Sequence, residues 1–168
     1  GYKALEAVTT NNSNTAVGSN ALKVYTGDAG TALGKSCLEA ATTASGITGV
    51  GVECLQALTT GNYNTGVGRN ALRVTTTGTN NTAVGYDALI SNTTADNNTA
   101  MGFQALDANT TGHSNTAIGG GALGANTTAN ENTAVGHQAL LSNNTGTFNT
   151  AIGRDALKLN STASSNTA

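Results

Sequence analysis

Apolar positions recur along this chain with a period of 17 residues. The glycine that closes each Ala-Val-Gly-like string falls at Gly1, Gly18, Gly34, Gly51, Gly68, Gly85, Gly102, Gly119, Gly136 and Gly153, with one step of 16 between Gly18 and Gly34. The leucine four residues later occupies Leu5, Leu22, Leu38, Leu55, Leu72, Leu89, Leu106, Leu123, Leu140 and Leu157 without exception. The residue before the leucine is always Ala or Cys, and the residue before the glycine, from Val17 to Ile152, is always apolar. The unit reads Asn-Thr-Ala-Val-Gly-x-x-Ala-Leu-x-x-x-Thr-Thr-x-x-x. The single short step removes a residue between Leu22 and Leu33, where Gly27, Asp28 and Gly30 mark a turn that absorbs the deletion.

Seventeen residues are too few for two packed helices and their turns, since helical repeats run to about 33 residues or more, and the multiple-leucine consensus of leucine-rich repeats is absent. The pattern predicts an all-β fold: a β-solenoid, or β-roll, of about ten 17-residue coils, forming a single repetitive segment over 1–168 that belongs to a longer chain. Thr-Ala-Val-Gly alternates in the strand period, so Thr15 and Val17 share one face while Ala16 and Gly18 share the other. The interior ladder is assigned to Val17, Leu22, Val84, Leu89, Met101, Leu106, Val135 and Leu140. The opposite Ala/Gly face is small enough for close approach of another backbone; alternatively its glycines supply positive φ at a bend.

Composition then limits the core and its partners. The apolar residues are mostly Ala, Val and Leu, so any core is thin, and ordering each coil costs more than so little burial returns. Self-association is therefore expected, as a homotrimer packed on the Ala/Gly faces or as an end-to-end filament. There is no Pro and no Trp, only 10% of residues are charged, and the net charge is −2. Lys and Arg are scattered singly, which provides no basic patch for nucleic acid, and no apolar run is long enough to span a bilayer.

The strings Asn81-Thr82-Ala83-Val84-Gly85-Tyr86-Asp87-Ala88-Leu89 and Asn132-Thr133-Ala134-Val135-Gly136-His137-Gln138-Ala139-Leu140 resemble repeats in phage tail-fibre shafts and bacterial surface fibres. They are also similar to longer relatives of the head repeats of trimeric autotransporter adhesins. The resemblance spans the whole chain and implies a left-handed β-roll, three subunits about one axis, and display on a virion or cell surface. It departs from the adhesin heads in its 17-residue unit, where theirs has about 14. The function it implies is an extracellular structural shaft, with an adhesin or a receptor- or glycan-binding module as the alternative.

Stacked coils turn each repeat position into a column, and the columns hold the candidate chemistry. Asn14, Asn64, Asn81, Asn98, Asn115, Asn132, Asn149 and Asn166 form one polar column, read as a structural amide ladder. Asn92, Asn109, Asn126, Asn143 and Asn160 form another, and each opens an Asn-x-Ser/Thr sequon, making these five the candidate N-glycosylation sites; polar turn residues without sugar are the competing reading. Further sequons begin at Asn11, Asn80 and Asn97. Paired threonines from Thr9/Thr10 to Thr127/Thr128 raise the third possibility of an ice-binding array. Cys37 and Cys54 replace Ala one coil apart, as buried small side chains or as a disulfide. No cofactor or metal is expected and the chain is not read as an enzyme. His113 and His137 lie in different columns, and the dinucleotide-like string Gly119-Gly120-Gly121-Ala122-Leu123-Gly124 lacks the strand-then-helix context that would give it meaning. The variable column Tyr2, Ser19, Lys35, Val52, Arg69, Tyr86, Phe103, Gly120, His137 and Arg154 is where a receptor or glycan contact would sit.

Overall fold

The computed structural model describes residues 1–9 and 11–168, so Thr10 of the first threonine pair lies outside the described residues. The chain is a β-solenoid. Its strands are β1 (Thr15–Val17), β2 (Thr31–Leu33), β3 (Thr48–Val50), β4 (Thr65–Val67), β5 (Thr82–Val84), β6 (Thr99–Met101), β7 (Thr116–Ile118), β8 (Thr133–Val135) and β9 (Thr150–Ile152). They form one parallel sheet in chain order, and Thr167 adds a single bridge to Thr150. Among the described residues nine strands pair, against about ten coils expected. Like sits on like throughout: Val84 pairs with Met101, and Thr15 with Thr31 across the short step.

The leucine column is the core, as the period predicts: Leu22, Leu89, Leu106 and Leu140 have no exposed surface. The strand faces are the reverse of the expectation. Ala83, Ala100, Ala117 and Ala134 are fully buried, whereas Val17 is 55% and Met101 42% exposed, and Val84 and Val135 are half-buried on the outer face. Val17, Val84, Met101 and Val135 therefore leave the core ladder, although their stacking order is as read. The reason is the width of the coil. At Gly49, a Cβ would already lie 3.2 Å from the Leu38 Cδ1 on the facing wall. With a leucine filling that gap, the sheet can turn nothing larger than Ala inward.

The facing wall is built from linked tight turns. In one coil Ala88 N–H donates to the Gly85 carbonyl, Ile90 to Asp87 and Asn92 to Leu89. Asp87 (φ 56°) and Leu89 (φ 51°) take the third place of their turns, where a type II turn requires positive φ. All ten recurring leucines sit at φ between 47° and 54°. Such a backbone costs a bulky residue about 1–2 kcal/mol, which complete burial of a leucine, worth about 1.5–3 kcal/mol, offsets.

Both readings of the recurring glycine hold, with one correction. Gly85 has φ 136°, and a Cβ on it would lie 2.4 Å from the Gly102 carbonyl oxygen. The backbone that comes close is the next coil of the same chain. The alanines beside it face that chain's own interior, so the Ala/Gly face is not available to a neighbouring subunit.

The short coil is closed by a tyrosine. Thr26 N–H bonds to the Thr42 carbonyl, while Gly27 lies over Ala44, so the missing residue is the counterpart of exposed Thr43. Tyr25 fills the corner with no exposed surface, and its hydroxyl donates to the Ala44 and Asp28 carbonyls. Burial, and then the charge of Asp28, push its phenol up to about 12. The folded state thus holds a proton that the unfolded chain releases near pH 10. Its contribution to stability is complete below pH 10 and is lost as the pH rises to about 12. Urea melts across that window are expected to show this decline, and Tyr25→Phe to remove it.

Candidate functional site

The two asparagine columns lie inside the coil and share one task. Each turn between them points a backbone carbonyl inward, and two amides meet it. Asn81 and Asn92 Nδ2 donate to the Ala95 carbonyl at 2.8 and 3.2 Å. Asn98 and Asn109 do the same at Gly112, Asn115 and Asn126 at Ala129, and Asn132 and Asn143 at Gly146. Between coils, Asn98 N–H donates to Asn81 Oδ1 and Asn115 N–H to Asn98 Oδ1, each at 3.0 Å. An inward carbonyl without a partner would cost about 1–3 kcal/mol, so the amides are what make so polar a corner stable.

This arrangement corrects the glycosylation assignment. Asn92, Asn109, Asn126 and Asn143 have no exposed surface, and their Nδ2 atoms, the ones a sugar would occupy, donate hydrogen bonds inside the coil. Asn160 is half-buried and bonds to Asn143 Oδ1 and the Ala163 carbonyl. Burial follows from the column standing three residues after the core leucine, inside the same turn. Among the other sequons, Asn80 and Asn97 are exposed, both at positive φ on the outer corner.

The threonine pairs divide by role. Thr42, Thr59, Thr76, Thr93 and Thr110 donate their hydroxyls to carbonyls of the following coil. Their partners Thr43, Thr60, Thr77, Thr94 and Thr111 are exposed, leaving a single free file in place of a two-column array.

Cys37 and Cys54 are free, buried thiols. The hydrogen bond to Cys37, and then burial, push the Cys54 thiol well above its ordinary range. The signal missed in the sequence is their partners. Gly49 and Gly66 replace Ala in the strands that follow, and a Cβ there would lie 2.6 Å from Cys37 Sγ and 2.5 Å from Cys54 Sγ. Each larger thiol is matched by a lost methyl. Gly49→Ala alone is expected to cost about 1–3 kcal/mol through overpacking, whereas Cys37→Ala with Gly49→Ala restores the common pair. A double-mutant cycle by chemical denaturation should return a favourable coupling of about 1 kcal/mol or more.

The outer surface carries two features with no structural task. The first is an unbroken apolar row on the sheet, including Val17, Leu33, Val67, Met101, Ile118 and Ile152, all exposed. The second lies on the variable column. Tyr86 and Phe103 stack at 5.6 Å and 11°, and Arg69 sits 5.9 Å from the Tyr86 ring centre. Beyond Phe103 the column drops to Gly120 before His137, and there the surface opens into a cavity of about 600 Å³. No helix is long and apolar enough to cross a membrane among the described residues. No family model, curated protein or solved structure matches the chain.

Proposed function

We propose that the chain is a structural shaft segment of an extracellular filament, of the kind found in phage tail fibres and bacterial surface appendages, and that it associates laterally with copies of itself. The observation that carries this reading is the outer face of the sheet. Every inward column is occupied with holding the coil together, yet the outward column beside the threonines is apolar from β1 to β9 and lies largely open. Exposed apolar surface that is contiguous, rather than scattered, marks an interaction site. With 10% of residues charged, little opposes the approach of a second copy along the same row. A closed ring of copies, a trimer being the simplest that accords with the resemblance, would cover the row and leave the turn faces outward.

Sedimentation equilibrium and electron microscopy test this reading together. Associated, rod-shaped particles are expected for the native chain. Met101→Lys with Ile118→Lys, both outward, should weaken association by about tenfold or more while leaving the β circular dichroism unchanged. A chain that stays monomeric at all concentrations, or association indifferent to the two lysines, would refute it.

A further inference from the structure

We infer that the coil at Gly119–Gly124 forms a lateral notch that binds a neutral saccharide, one or two pyranose rings, against the Phe103 ring. This goes beyond the shaft reading and does not depend on it.

Three adjacent outward columns lose their side chains together in this one coil. The first runs Tyr86, Phe103, Gly120, His137; the second Asp87, Gln104, Gly121, Gln138; the third Ile90, Asp107, Gly124, Leu141. The coils on either side keep theirs, so the gap has two walls, Phe103, Gln104 and Asp107 facing His137, Gln138 and Leu141. Its volume of about 600 Å³ lies within the ordinary range of small-molecule sites, about 300–1,000 Å³.

Backbone geometry does not call for Gly120 or Gly121; at Gly124 a Cβ would meet the movable end of Leu141 at 3.1 Å and the Gly121 oxygen at 3.3 Å. At neighbouring Gly119 a Cβ would stand 2.4 Å from a backbone oxygen, whereas at Gly120 and Gly121 the nearest atoms are 3.5 and 3.6 Å away, ordinary contact distances. Gly121 has φ 66°, but Gln104 and Gln138 occupy the same column at 51° and 57°. The fold accepts side chains here, and their absence is what opens the surface.

The walls supply what a sugar requires. Phe103 is 59% exposed and held flat by its stack on Tyr86, offering a ring face to the C–H face of a pyranose. Gln138 accepts a 2.6 Å hydrogen bond from Lys158 Nζ at its Oε1, which leaves the amide N–H groups to donate elsewhere. Gln104, Ser142 and His137 add polar groups of both kinds, and the half-buried Asp107 carboxylate makes no ion pair among the described residues. Polyol recognition needs such mixed donors and acceptors. No Lys or Arg is among the lining residues, and the nearest cation, Lys158 on Gln138, is already paired with Asp155 at 3.1 Å, which favours a neutral ligand over a phosphate or an acidic sugar. Asp107 is the one carboxylate on the walls; burial pushes it above its ordinary range, and its oxygens are acceptors for sugar hydroxyls.

The test uses the full chain and amide NMR shifts. The probes are the methyl glycosides of glucose, galactose, mannose and N-acetylglucosamine, with tetramethylammonium as the cationic comparison. At least one glycoside should shift the Gly120, Gly121 and Gly124 amides, and tetramethylammonium should not. Gly120→Tyr with Gly121→Gln gives the coil the residue types its neighbours carry, so the chain should fold as before while affinity falls about tenfold or more; Phe103→Ala, at an exposed position, should weaken binding comparably. The inference fails if no glycoside moves these amides, if the Phe103→Ala chain binds as the native one does, if the filled and folded notch still binds, or if tetramethylammonium alone binds.

Discussion

Gly85→Ala is expected to remove about 3 kcal/mol or more from the stability of the solenoid. Two costs combine. A φ of 136° is a conformation in which an L side chain is strained, and the new Cβ would stand 2.4 Å from the oxygen and 2.7 Å from the carbon of Gly102. Those are backbone atoms and cannot rotate away. Relief requires the two coils to part, which breaks the 2.8 Å bond from Gly102 N–H to the Val84 carbonyl. Gly153→Ala separates the two costs, because Gly153 has φ 131° but nothing within 4 Å of its Cβ position. That variant should lose only the dihedral term, about 1–3 kcal/mol. Equal losses in the two chains under urea would show that the close approach between coils is not tight.

Leu106→Ala is expected to cost about 2–5 kcal/mol, the range for emptying a buried leucine site. Leu106 has no exposed surface and stands between Leu89 and Leu123 in the column. Each coil contacts its neighbours above and below, so a weakened coil in the middle also divides the stack, and unfolding should broaden into two steps as well as shift. Ile118→Ala, outward and 38% exposed, provides the contrast at concentrations where the chain is monomeric, with a loss of about 1 kcal/mol or less. Had the sheet turned its β-branched row inward, the two losses would be alike. Scanning calorimetry of the pair distinguishes the two arrangements.

Reading the chain as columns recovers a good part of the candidate sites and misjudges others for identifiable reasons. The asparagine column from Asn64 to Asn149 is the amide ladder its regularity suggests. A glycosylated sequon column implies an outward face, and polar turn residues usually face water. In this coil the turn carbonyls point inward and bring Asn92 and its successors with them. The notch was visible only as the string Gly119-Gly120-Gly121-Ala122-Leu123-Gly124. Taken as a linear motif it carries nothing; set beside the coils before and after, it is the place where three side chains are missing at once.

Repetition by itself determined which residues neighbour which. A strict 17-residue period leaves parallel stacking as the arrangement that gives every copy the same surroundings, and it therefore settled the register of Val84 on Met101 and the continuity of the leucine column. Tertiary structure alone decided which side of each strand is the inside. Alternation along three residues is symmetric between its two faces, and the choice falls to the width left by a leucine on the opposite wall, held there by a turn whose positive φ no residue type in the repeat announces.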